Sequence, residues 1–189
     1  MKKLVTLLFS FVFIMGFVGL FAQNPLTVKS GELSVLKTPS TATFEFDYSA
    51  TKVGKQTLKE YLKSKGDDYV RDWPTDRDNA EKHFSYLFND KNKKKMQFKM
   101  DDVNAEYKMK INITSIDMGN DGGVFVSSYA PRTIGGAVLT GTIEIIDLKT
   151  KGVVLTLDMG EVKGEHALTQ KLRLILVYDE LAKYLAKIK

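Results

Sequence analysis

Tyr107-Lys108-Met109-Lys110-Ile111-Asn112-Ile113-Thr114 changes character at every step. Tyr107, Met109, Ile111 and Ile113 fall on one side and Lys108, Lys110, Asn112 and Thr114 on the other, the period of two of a strand with a single buried face. Downstream, residues 137–147 read as a long strand with Leu139, Ile143 and Ile145 facing the core. Thr150-Lys151-Gly152 then closes a hairpin onto residues 153–159, where Val153, Leu155 and Leu157 alternate. Upstream, Phe44, Phe46 and Tyr48 alternate with Glu45 and Asp47, and Met96, Phe98 and Met100 mark a shorter strand before the Asp101-Asp102 turn. Residues 118–123 are a turn by composition, residues 124–128 a short strand, and residues 131–136 a loop.

Helical spacing occupies the rest. Residues 51–65 read as a short helix, with Leu58, Tyr61 and Leu62 at i, i+3 and i+4 and Gly66 as its stop. Residues 67–73 are charged and open to either reading. Pro74-Thr75 restarts the chain, with Thr75 as the expected N-cap and Asp76 and Asp78 in the first turn, where carboxylates favour the positive helix end. Ala80, Phe84, Leu87 and Phe88 mark the buried face to about Asn89. Residues 168–187 form a long helix with two stripes, Leu172, Ile175 and Leu176 beside Leu174, Tyr178, Leu181 and Leu185. So wide an apolar arc predicts cover on more than one side. Residues 23–31 are expected to be loose, and residues 33–36 form a first short apolar stretch, counted as a strand and ended by Thr38-Pro39-Ser40. The order β, β, α, α, several β, α predicts one α+β domain over residues 23–189. Its sheet is largely antiparallel or mixed, with two or three helices packed against it and a long C-terminal helix.

Residues 1–22 differ in kind. Lys2 and Lys3 precede an almost wholly apolar run over residues 4–22, the pattern of a secretory signal peptide cut after Ala22. The alternative is a retained membrane anchor, since the run is just long enough to span a bilayer. Cleavage leaves 167 residues and lowers the net charge from +5 to +3, because the leader carries two lysines and no acid. That balance gives little reason to expect nucleic acid as a partner. A chain of this length buries a core without staples. With no cysteine in all 189 residues, a disulfide scaffold, a thiolate zinc site, a cysteine nucleophile and a lipoprotein anchor are excluded. The expected location is periplasmic or extracellular.

Two stretches carry a resemblance. Ser30-Gly31-Glu32-Leu33-Ser34-Val35-Leu36 followed by Phe44-Glu45-Phe46-Asp47-Tyr48-Ser49 resembles the opening of a group of small secreted proteins from Bacteroides-type bacteria, a group without an assigned function. The likeness continues through the alternating residues 105–116 and a Gly-rich turn to Thr140-Gly141-Thr142-Ile143-Glu144-Ile145-Ile146-Asp147. At fold level the pattern is similar to the N-terminal domain of TolB and to the curli secretion lipoprotein. The resemblance implies export and an α+β fold. It brings no catalytic residue, and the chain has neither TolB's propeller nor the curli protein's lipid-anchored cysteine, so no pore or translocation role follows.

Catalytic patterns are sparse. The histidines are His83, beside the apolar stripe of its helix, and His166, next to Glu165. Neither lies in a metal-binding spacing such as H-E-x-x-H, and both read as structural or solvated, so no metal or cofactor is expected. No Gly-x-Ser-x-Gly elbow occurs. Asp67-Asp68 and Asp72/Asp76/Asp78 lack the mid-loop glycine and closing glutamate of a calcium loop, and serve better as helix N-terminal charges. Lys91 to Lys95 follow a helix end, where lysine favours the negative dipole, and lack the interleaved aromatics of a base-stacking surface. Asn112-Ile113-Thr114 matches a glycosylation sequon but lies in a strand.

One loop, Tyr129-Ala130-Pro131-Arg132, offers an aromatic and an arginine, residue types that dominate binding hot spots. Tyr129 and Arg132 are therefore the candidate contact surface. The leading functional expectation is an exported, non-enzymatic binding or adaptor domain of the cell envelope, with an envelope protein or glycan as its partner. A carboxylate-based glycan or peptidoglycan hydrolase is the alternative, and would require a deep cleft with two acids about 5–9 Å apart. A small-ligand carrier, the third reading, would require a closed apolar cavity.

Overall fold

A computed structural model describes residues 24–99, 102–119 and 135–188. Eight strands form one mixed sheet: β1 (Leu26–Gly31), β2 (Thr41–Asp47), β3 (Lys52–Val53), β4 (Gln56–Thr57), β5 (Gln97–Phe98), β6 (Tyr107–Asp117), β7 (Val138–Asp147) and β8 (Val153–Lys163). The helices are α1 (Ser34–Lys37), α2 (Leu58–Lys65), α3 (Asp67–Lys91) and α4 (Gln170–Lys187). This is the α+β domain with a long C-terminal helix that the periodicity predicts.

The main path of the sheet runs β1-β8-β7-β6-β2-β5, with β3 attached to β6 and paired with β4. β6, β7, β8 and β1 are antiparallel neighbours, whereas β2 lies parallel to both β6 and β5. Met109, Ile111 and Ile113 on β6, Ile143 and Ile145 on β7, and Leu155 and Leu157 on β8 are all buried. They join one core with Phe84 and Phe88 of α3 and Tyr178, Leu181 and Leu185 of α4. The opposite face carries polar cross-strand pairs: Lys108 with Glu45, Lys110 with Asp47 at 3.1 Å, and Asn112 with Thr142 at 3.3 Å. Helices on one side and a polar face on the other make two layers.

A bulge shifts the β6–β7 register between Ile113 and Ser115, so the buried set moves from odd positions to Ile116 and Met118. Gly141 opposes Ile113 there, and a Cβ on it would stand 2.0 Å from the Asn112 carbonyl oxygen. Only glycine lets the backbones approach so closely.

Several expectations need correction. Residues 26–31 are not loose: they form β1, an edge strand paired with β8. Only Leu26 is buried in it, so its order comes from backbone hydrogen bonds that hydropathy does not report. The first apolar stretch is not a strand but the single helical turn α1, which buries Leu36. The helix expected over residues 51–65 starts only at Leu58, after the short β3–β4 hairpin, where Thr57 and Glu60 form a capping box.

The region around Pro74 differs most. α3 runs unbroken through Pro74, so Thr75 is not a cap and Asp76 and Asp78 lie in the helix interior. Its first turn instead holds Asp67 and Asp68, the carboxylates that complement the dipole. Gly66, at φ 117°, ends α2 and starts α3, a backbone conformation that favours glycine. A proline inside a helix removes one hydrogen bond and costs about 3 kcal/mol. Packing outweighs that penalty: Trp73 on one side of Pro74 and Ala80, Phe84 and Phe88 on the other all rest on the same core, and a break would unseat one group.

The C-terminal helix also departs in one respect. Leu174, Tyr178, Leu181 and Leu185 are buried as expected, but the neighbouring stripe is only partly covered, and Leu172 is 46% exposed.

Candidate functional site

Tyr48 follows β2, whose alternation turns Phe44, Phe46 and Tyr48 toward the helices. Its ring packs edge-on against Trp73 of α3, with centroids 6.0 Å apart. Around these two aromatics the chain leaves an open cavity of about 360 Å³. Its walls come from three places: the turn after β2 (Tyr48, Ser49, Thr51), α2 (Leu58, Lys59, Leu62, Lys63) and the first half of α3 (Val70, Trp73). Thr51 is buried and already committed, donating from Oγ1 to the Ile113 carbonyl at 2.6 Å. Thr57, at the cavity edge, is held in the capping box. The cavity thus presents an aromatic and aliphatic floor with lysines at its border.

Behind that floor lies a chain of polar side chains. Tyr48 Oη donates to Glu81 Oε1 at 2.9 Å, and the fully buried Tyr178 stands with its hydroxyl 2.5 Å from that of Tyr48. Since the Tyr48 proton goes to Glu81, Tyr178 is the donor in the second bond. Arg77 lies beside the chain as an ion-pair partner, with Nε 3.4 Å from Glu81 Oε1 but making no hydrogen bond, and with its guanidinium 5.7 Å from the Tyr48 ring centroid. Burial, reinforced for Tyr48 by the neighbouring Tyr178 and Glu81, holds both phenols protonated far above the usual tyrosine range. Burial also raises the Glu81 carboxyl, against the lowering effects of Tyr48 and Arg77. This chain fixes the Tyr48 ring as the cavity floor and leaves its hydroxyl no free proton to transfer.

The sign of the Glu81 effect gives a testable pH dependence. A carboxyl raised in the folded state favours the protonated form there. Its ionisation therefore opposes folding above the folded pKa, and the penalty vanishes below the ordinary carboxylate range. Glu81→Gln is expected to gain stability relative to wild type as pH rises from 4 to 7. Urea midpoints of both proteins at the two pH values check this; a constant difference would contradict it.

A second, smaller groove of about 220 Å³ shares Leu62 and Trp73 and is bordered by Asp68, Asp72 and Asp76. Each acid is paired: Asp68 and Asp72 with Arg71 at 2.7 and 2.8 Å, and Asp76 with Lys171 of α4 at 3.2 Å. Asp78 pairs with Arg77 at 3.0 Å. Asp47 is held down at about 2 by the Ser49 hydroxyl and amide and by Lys110. Lys91 and Lys93 both reach Asp90 beside the end of α3, at 3.4 and 3.3 Å.

His83 is half exposed, with Nδ1 3.8 Å from Asp179 Oδ1 on α4. Burial raises the Asp179 carboxyl. His166 is exposed between β8 and α4. Among the described residues no group of three or more histidine, aspartate or glutamate side chains is arranged to hold a metal ion. No described helix is long and apolar enough to cross a membrane. Tyr129 and Arg132, the contact surface expected from sequence, lie outside the described residues, as do the leader and the strand expected over residues 124–128.

Sequence reading missed the cavity. Its walls lie in three segments joined only by the fold, and Tyr48 and Tyr178 are 130 positions apart. One signal is present: Trp73, the single tryptophan, sits in the charged stretch over residues 67–73.

No family model matches the chain, and no curated protein matches it. Among solved structures it is similar to the PelC dodecamer subunit from Paraburkholderia phytofirmans, at 13% identity and a TM-score of 0.43, covering 83% of this chain and 96% of that one. It is also similar to a DUF330 protein from Xanthomonas campestris, at 13% identity and a TM-score of 0.35, covering 82% and 89%.

Proposed function

We propose that this protein is an exported, non-enzymatic binding domain of the cell envelope, and that the Tyr48–Trp73 cavity is where it binds. One observation carries the reading: an open cavity with an aromatic and aliphatic floor, whose nearby acids and hydroxyls are engaged within the protein. Binding sites combine such a floor with a few placed polar groups, and about 360 Å³ falls within their usual range. The cavity is open at the surface, so it suits a ligand or partner side chain arriving from solution better than a sealed cargo. The apolar leader and the likeness to secreted proteins of Bacteroides-type bacteria support export. The hydrolase alternative finds less support, because the acids beside the second groove are tied to Arg71 and Lys171.

Site-specific photo-crosslinking in the native host tests the proposal. A photoreactive residue replacing Val70, at the cavity wall and 43% exposed, is expected to yield a discrete adduct. The same residue replacing Val103, 95% exposed and away from the cavity, is expected to yield none. Equal labelling from both positions, or none from either, would contradict the proposal.

A further inference from the structure

The border of the cavity indicates what class of ligand it takes. Lys59 and Lys63 lie four residues apart on α2, a spacing that puts both on one helix face, and both line the cavity. Several lysines elsewhere in the fold are engaged, Lys65 over the Tyr61 ring, Lys171 with Asp76 and Lys110 with Asp47, and what sets Lys59 and Lys63 apart is their place on the cavity. The acid between the two cavity lysines, Glu60, is turned back onto the Thr57 amide and hydroxyl by the capping box. Among the described residues Lys59 and Lys63 have no ion-pair partner. Lys59 and Lys63, unpaired among the described residues, therefore line a cavity whose floor is made of Tyr48, Trp73, Leu58 and Leu62.

We infer that the cavity binds an anionic amphiphile, its negatively charged head between Lys59 and Lys63 and its apolar body against Tyr48 and Trp73. This rests on the reading of the cavity as the binding site. Size follows from volume: at roughly 30 Å³ for each water-sized group, the cavity holds a body of about a dozen heavy atoms. Decanoate has that size. The chain also supplies its own reporter, because its single tryptophan is Trp73.

The test is a fluorescence titration of the purified protein with decanoate, decanol and decyltrimethylammonium, repeated on the Lys59→Gln/Lys63→Gln double variant. Both lysines are exposed, so the variant is expected to keep the wild-type circular dichroism spectrum. Decanoate should saturate the Trp73 signal at about tenfold lower concentration than decanol, the size expected for two partly solvated charge contacts. Decyltrimethylammonium should bind more weakly than either. In the double variant the advantage of decanoate over decanol should disappear. Equal binding of decanol and decanoate to the wild type would overturn the anionic head while leaving the cavity as a binding site. A preference for decanoate that survives in the double variant would overturn the lysine assignment. No Trp73 response to any of the three would overturn both the ligand class and the site.

Discussion

Replacing Phe84 with alanine should destabilise the protein by about 3–5 kcal/mol, the usual cost of emptying a phenylalanine site in a packed core. Phe84 has no exposed surface and is the hub of an aromatic cluster. Its ring centroid lies 5.2 Å from Phe46, 5.6 Å from Phe98, 6.1 Å from Phe44 and 6.2 Å from Phe88. Those partners belong to β2, β5 and α3 itself, so the ring joins the parallel edge of the sheet to the helix layer. The surroundings can collapse little, because each neighbour is fixed by another: Phe88 meets Phe98 at 4.5 Å and Phe46 meets Tyr178 at 5.0 Å. Against a total stability of about 5–15 kcal/mol for a domain, the loss is a large share. Urea denaturation at constant m-value measures it. A loss under about 1 kcal/mol would mean that the cluster is not packed as described.

Arg173→Met should cost about 2–4 kcal/mol for a different reason, the loss of partners by buried carbonyls. Arg173 is buried on α4 and makes no ion pair with a described residue. Its Nε donates to the Met118 carbonyl at 2.8 Å, and one terminal nitrogen donates to the carbonyls of Ala167 at 2.9 Å and Leu168 at 3.3 Å. It thereby fastens the end of β6 to the segment that leads into α4. Methionine fills much of the aliphatic stem but donates nothing, which leaves the carbonyls of the buried Met118 and Ala167 without that partner. Beyond a lower urea midpoint, hydrogen exchange should accelerate around residues 116–119 and 171–173 and change little in β7. Unaltered exchange at those amides would show that the clamp does not hold the two segments.

The elements legible in sequence were those whose own side chains sort between core and solvent. Leu139, Ile143 and Ile145 on β7, and Leu174, Tyr178, Leu181 and Leu185 on α4, announced their buried faces by period alone. Elements held by something else were misread. β1 depends on backbone pairing with β8, and its pattern shows one buried residue in six. Local propensity placed a boundary at Pro74, but anchors on both sides of it belong to one core, and tertiary packing prevailed.

The site was less legible than the fold. Period-two alternation placed Tyr48 on the core side of its strand, but nothing local pairs it with Trp73, Glu81 or Tyr178. Lys59 and Lys63 look like any solvated pair on an amphipathic helix until the fold sets the cavity beneath them. Glu60 illustrates the same limit. In sequence it lies between the two lysines, and the capping geometry that turns it back onto Thr57 becomes visible only once the helix is known to start at Leu58.

The most direct test of the cavity as the binding site is chemical-shift mapping on isotopically labelled protein, titrated with the small-molecule and lipid extract of its native host's envelope. Perturbations should concentrate at Tyr48, Leu58, Leu62, Val70 and the Trp73 indole N–H, with the polar sheet face at Thr142 and Thr156 unmoved. Perturbations centred on that sheet face, with the cavity resonances silent, would contradict it.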